Sequence, residues 1–156
     1  MTDREKELYL ETARQACRWY VNTQNTDKNP WGGLANSADK GRFIYEYYPA
    51  RKRGRGAGVW AQALGIMALD ALTVQSGGHD GEAAERREAA LLAGDYMLSL
   101  QHKDRSRKKN LGGFSEATPT TTWSFPRDGI TGALGLNALY RMTEEEKYLE
   151  AAKLFA

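Results

Sequence analysis

The sequence predicts an all-α fold of repeated helical hairpins, about five helices with long loops between them. Three observations predict it. An eleven-residue segment recurs, Ala63–Thr73 against Ala133–Thr143, with six identities and no gap. One-sided helices alternate with helices that are apolar nearly all round, the pattern of an outer and an inner layer. Apolar–polar alternation is short and weak, so at most a small hairpin is expected.

The elements follow in chain order. Thr2 and Glu5 make a capping-box pattern that opens the first helix, whose apolar stripe is Leu10, Ala13, Cys17 and Tyr20. Gln24 ends it. A loop over 25–57 follows, in which 42–48 alternates weakly, and Val59–Leu72 then forms an inner helix interrupted only by Gln62, Gly65 and Asp70. The third helix, about 82–102, carries Ala83, Ala90, Leu91, Gly94, Met97 and Leu98 on one side and Glu82, Glu85, Arg86 and Glu88 on the other. Gln101 ends that helix, and a loop over 103–128 follows, with 120–123 the one stretch suited to extended backbone. Ile130–Met142 forms the second inner helix. Gly65 and Gly135 fall at one repeat position, each costing about 1 kcal/mol in a helix, which points to close packing there. Thr143 and Glu146 read as another capping box, opening a fifth helix with Tyr148, Leu149, Ala152 and Phe155 apolar. Loops this long exceed the ~2–8 residues that join helices in simple bundles, and their aromatic content argues for ordered, functional segments.

Each copy of the repeated segment is preceded by a Gln and a Gly-Gly-apolar triplet. These are Gln24 with Gly32-Gly33-Leu34, and Gln101 with Gly112-Gly113-Phe114. Three ordered matches make the repeat the organising feature of the chain.

Composition excludes several classes. Of 156 residues, 22 are Lys or Arg and 20 Asp or Glu, so the net charge of +2 excludes a histone-like basic protein and an acidic tail, and nucleic-acid binding is not expected. Apolar runs fall short of the ~18 residues of a membrane span, so no membrane partner is expected. Met1–Glu7 lacks the features of a signal peptide, which predicts a cytoplasmic protein. One cysteine, Cys17, and two histidines, His79 and His102, leave no structural zinc set, and neither metal nor cofactor is expected. Cys17 reads as core, and both histidines as exposed residues without partners.

A one-sided helix ending in Gln, a polar loop, Gly-Gly-apolar and an all-apolar helix resembles the α/α-toroid proteins. That superfamily includes six-hairpin glycosidases, related polysaccharide lyases, and the squalene cyclase and prenyltransferase repeats. Ser99-Leu100-Gln101, Leu111-Gly112-Gly113-Phe114 and Thr131-Gly132-Ala133-Leu134 carry the likeness best. The gaps between Gln and Gly-Gly, seven and ten residues, are wider than in cyclase repeats, and Asp-x-Asp-Asp is missing. The carbohydrate enzymes are therefore the nearer likeness. The resemblance implies a partial toroid, with 1–156 the N-terminal part of a truncated domain. Its repeat units are about 3–76 and 82–143, with the start of a third at 144–156. Its inner helices would lack neighbours, so the chain alone is expected to expose apolar surface, with marginal stability or self-association as the consequence.

The resemblance also implies a pocket where loops meet the N-termini of the inner helices, at about 49–60 and 123–131. Helix N-termini suit it, since they present free N–H groups and positive dipole ends. The implied activity is a glycoside hydrolase or polysaccharide lyase acting on an acidic oligosaccharide. A terpene or prenyl enzyme and a non-catalytic repeat scaffold are the alternatives. Arg51-Lys52-Arg53-Gly54-Arg55-Gly56-Ala57-Gly58 leads into the first inner helix, so Arg53 and Arg55 are candidates to bind a uronate, unless the run is a solvated basic loop. A second run, Lys103 to Lys109, reads as compensation of a helix C-terminus. Asp128 reads as an N-cap or a catalytic carboxylate, with Arg127 beside it to bind the substrate or pair with Asp128. Glu46, among Tyr45, Tyr47 and Tyr48, is the other candidate catalytic carboxylate, because aromatic neighbours desolvate a carboxyl and suit it to donate a proton. In a lyase, one of those tyrosines would serve as acid or base. Trp31, Tyr48 and Trp123 are candidates to stack on sugar rings, whereas Trp60 reads foremost as inner-helix packing.

Overall fold

The structure, a computed structural model, describes residues 1–29, 39–48, 50, 53–56, 58–78, 81–106, 110–116 and 124–156. Five helices and one hairpin follow in order: α1 (Asp3–Thr23), β1 (Ile44–Tyr48), β2 (Arg53–Gly56), α2 (Val59–Gln75), α3 (Ala83–Leu100), α4 (Pro126–Thr143) and α5 (Glu146–Phe155). The fold is all-α in its framework, and the antiparallel β1–β2 pair is the small hairpin anticipated over 42–48.

The two apolar helices, α2 and α4, pack side by side, with α3 against both, α1 against α2 and α3, and α5 against α4. At the α2–α4 contact a Cβ on Gly135 would stand 2.8 Å from Ala63 Cα, so that glycine sets how closely the helices approach. Gly65 works differently: its missing Cβ makes room for the ring of Phe43. The core gathers Phe43, Ile66, Leu69, Met97, Leu100, Phe114, Leu136, Leu139 and Tyr148 around this pair.

The repeat is visible as hydrogen bonds. Gln24 Nε2 donates to Gly41 O and Ala89 O, both at 2.8 Å. Gln101 Nε2 donates to Gly112 O at 3.1 Å and Ala151 O at 2.7 Å. Around each clamp the backbone bonds also match: Gly41 N–H to Asn25 O and Asn25 N–H to Arg42 O in one unit, Gly112 N–H to His102 O and His102 N–H to Gly113 O in the other. Gln24 thus ties the end of α1 to its own loop and to α3, and Gln101 ties the end of α3 to its own loop and to α5.

These bonds correct the alignment read from sequence. The counterpart of Gly112-Gly113-Phe114 is Gly41-Arg42-Phe43, and the segment Gly32-Gly33-Leu34 lies outside the described residues. Gly41 and Gly112 both have left-handed backbones, φ +86° and +78°. Phe43 and Phe114 are both fully buried, Phe43 against Gly65 of α2 and Phe114 against Gly132 of α4.

Other expectations meet the structure unevenly. The Thr2–Glu5 capping box is present. The one expected at Thr143–Glu146 is not: Thr143 is the last residue of α4, its hydroxyl donates to Leu139 O, and α5 starts from Glu145 without a side-chain cap. Glu144, at φ 59°, makes the turn between them. Ala13 is exposed, and Leu10, Cys17 and Tyr20 form the packed stripe of α1 without it. Arg86 is buried, not on the solvent side of α3, and its guanidinium donates to Thr73 Oγ1 and Ser76 Oγ at 3.1 and 3.2 Å. His102 is part-buried, with its Nε2 3.4 Å from Ser115 Oγ.

Two tyrosines give the fold a pH limit. Burial pushes the Tyr96 and Tyr148 hydroxyls up to about 12. Because the folded values exceed the unfolded ones, both contribute stability that is complete below about pH 10 and is lost as pH rises toward 12. Alkaline unfolding followed by circular dichroism is expected between those limits, and Tyr96→Phe is expected to flatten the fall.

Candidate functional site

The N-terminal ends of α2 and α4 lie together, because Arg127, second in α4, reaches Trp60, second in α2. The two helices run parallel, since their other ends meet through Asp70 and Arg141 at 2.6 Å. Pro126 at the first position of α4 has its φ preset for the helix and lacks an N–H that would need a partner. This moves the cap to Phe125 and corrects the N-cap reading of Asp128, which sits inside the first turn, where the helix dipole favours a carboxylate.

Asp128 is fully buried. Its Oδ1 lies 3.4 Å from Arg127 Nε, and among the described residues its Oδ2 has no hydrogen-bond partner. An unsatisfied buried polar oxygen costs about 1–3 kcal/mol, so a donor placed at Oδ2 would be stabilising. The Arg127 guanidinium stands over the rings of Trp60 and Phe125, at 5.6 and 5.7 Å, with Glu116 at 3.8 Å from its Nη2. Glu116 is fixed by its own carbonyl, which accepts the Val59 N–H at the start of α2. The site thus brings together a buried carboxylate, a half-exposed cation, two aromatic faces and a second carboxylate.

The remaining candidates fall elsewhere. Glu46 lies on β1 and accepts a hydrogen bond from the Tyr48 hydroxyl at 2.5 Å, two residues along the same strand face. No described contact joins Glu46 to Asp128. Tyr48 is exposed. Arg53–Gly56 form strand β2 rather than a loop wrapped on the α2 N-terminus, and the side chains of Tyr45, Arg53 and Arg55 lie outside the described atoms. Trp31, Trp123 and His79 lie outside the described residues. Lys103 and Arg105 are exposed beyond α3, and Cys17 is buried as core.

Sequence reasoning missed Glu116 and gave Trp60 a packing role first. Glu116 belongs to no period or motif.

The opposite end of α2 and α4 opens a groove of about 520 Å³ lined by Val74, Arg87, Arg141 and Met142, but its buried Asp70 is already neutralised by Arg141. Among the described residues no three His, Cys, Asp or Glu side chains gather as a metal site, and no helix is long and apolar enough to cross a membrane. No protein-family model matches the chain, and no curated protein or solved structure matches it either.

Proposed function

We propose that the N-terminal ends of α2 and α4 bind an acidic oligosaccharide, within a glycoside hydrolase or polysaccharide lyase of α/α-toroid architecture. The observation that carries this reading is Asp128, buried with a free Oδ2 beside an Arg127 spread across Trp60 and Phe125. A sugar hydroxyl supplies the donor that Oδ2 lacks. Arg127 matches a uronate carboxylate in charge and fork geometry. The aromatic faces suit the apolar C–H faces of a pyranose ring.

Calorimetric titration of the chain with oligogalacturonate and with a neutral maltooligosaccharide tests the reading. The acidic ligand is expected to bind at least tenfold tighter, less so in high salt, and Arg127→Gln to remove most of that preference. Equal binding of both sugars, or an unchanged preference in Arg127→Gln, contradicts it.

One observation favours a second reading, an amphiphilic substrate of the terpene or prenyl class. Leu64 and Leu134, equivalent in the repeat, are both 49% exposed, and Ile130 is 56% exposed, so an apolar row runs down the helices from the cationic end. Titration with a prenyl diphosphate separates the two, and failure of both ligands favours the scaffold reading.

A further inference from the structure

We infer that Glu116 is the carboxylate that works with Asp128 in this site; the inference rests on the carbohydrate reading above. Glycoside hydrolysis needs two carboxyl groups on either side of the scissile bond, ~5–9.5 Å apart according to mechanism. Glu116 and Asp128 meet one guanidinium, at 3.8 Å from Nη2 and 3.4 Å from Nε of Arg127, so their carboxyl groups face the same small space and stand no farther apart than the upper end of that range. Glu46 lies on strand β1, where it accepts a hydrogen bond from the Tyr48 hydroxyl.

The two carboxyls differ in the way such a pair requires. Asp128 is enclosed and lacks a donor at Oδ2, whereas the Glu116 side chain is 38% exposed and open to water. Both are held at the start of the inner layer, Asp128 by the first turn of α4 and Glu116 by its carbonyl on Val59 N–H. Arg127 makes only long ion pairs here, 3.4 and 3.8 Å, so it is free to turn to a substrate carboxylate and open the way to Asp128.

The step balances with water as co-reactant. Glu116, open to solvent, gives a proton to the glycosidic oxygen as its bond to the anomeric carbon breaks. Asp128 takes a proton at Oδ2 from the water whose oxygen bonds that carbon. The carboxyl and carboxylate then exchange the proton through solvent to restore the starting state.

The test compares Glu116→Gln, Glu116→Ala and Glu46→Gln in the full chain on oligogalacturonate. Reducing-end release, calorimetric affinity and the pH–rate profile are read together. Glu116→Gln is expected to lose at least 100-fold in turnover, with affinity within threefold of the unmodified chain, and to lose one limb of its pH profile. On an aryl galacturonide, whose leaving group departs without a proton, Glu116→Gln and Glu116→Ala are expected to keep most of their turnover, which a merely structural role would not allow. Unmodified melting temperatures exclude misfolding as the cause. Turnover of oligogalacturonate retained in Glu116→Gln, or lost only in Glu46→Gln, overturns the assignment while leaving the carbohydrate reading in place. An unmodified chain that binds the sugar but cleaves none of it overturns the pair and the enzymatic reading together; one that does not bind it overturns the site.

Discussion

Gly112→Ala is expected to abolish the cooperative fold, the largest single effect in the molecule. Two costs add at this residue. Its φ of +78° is left-handed, which an L side chain adopts at a cost of about 1–2 kcal/mol. Its missing Cβ would also lie 2.1 Å from Leu154 O and 2.6 Å from Phe155 Cα, all backbone of α5. A side chain in the way can rotate; a helix backbone must move bodily, and moving α5 breaks the Gln101 bond to Ala151 O. The expected loss exceeds about 4 kcal/mol, a large part of the ~5–15 kcal/mol that holds a domain of this size. Gly41→Ala should behave alike, since its Cβ would lie 2.1 Å from Leu92 O at φ +86°. Gly78→Ala isolates the first cost. Its φ is +71°, yet nothing stands within 4 Å of the added carbon, so about 1 kcal/mol is expected from urea melts.

Gln24→Ala is the second large effect, with an expected loss of about 2–4 kcal/mol by the same melts. The amide is buried and donates to two carbonyls, one in its own loop and one in α3. Alanine would leave both oxygens without that donor and open a cavity between α1 and α3. Gln101→Ala removes the same two bonds one repeat later and should cost a similar amount. Gln15→Ala, on the exposed face of α1, is expected to change stability by less than about 0.5 kcal/mol. Equal small effects at all three glutamines would show that the clamps do not hold the units together.

The helices were legible because they rest on periodicity. Their division into solvent-facing and covered was not: α3 buries Arg86, Ala89, Ala90, Ala93, Tyr96, Met97 and Leu100, while Leu64 of α2 and Ile130 and Leu134 of α4 are exposed. The repeat was legible too, but its loop register was not. The sequence match favoured two adjacent glycines, so Gly32-Gly33 drew the alignment. The structure requires only one, beneath a helix carbonyl, followed two residues later by a phenylalanine. Arg42 can therefore stand where Gly113 does, because that position has no left-handed backbone to maintain. Its guanidinium is used instead to bind Asp39 Oδ1 and Gly56 O, which ties the segment before β1 to the end of β2.

At the site, position was readable and partnership was not. The N-terminal ends of the inner helices were expected to carry the chemistry, and Asp128, Arg127 and Trp60 gather there. Pro126 was the overlooked signal at α4, since a proline at the first helical position shifts the cap to Phe125 and draws Asp128 into the interior. Glu46 stood out because its aromatic neighbours are adjacent in sequence. Glu116 reaches Arg127 only through the packing of a loop on two helix ends, which no local pattern encodes.

The most direct test of the account is a residue-by-residue amide map of the isotopically labelled chain titrated with oligogalacturonate. Binding at the inner-helix N-termini predicts shifts at Gly58–Trp60, at Glu116 and at Arg127–Ile130, together with the Trp60 indole N–H. Shifts centred on Thr73–Gly78 and Arg141, at the opposite end of the same helices, would contradict it, as would a spectrum that the acidic sugar leaves unchanged.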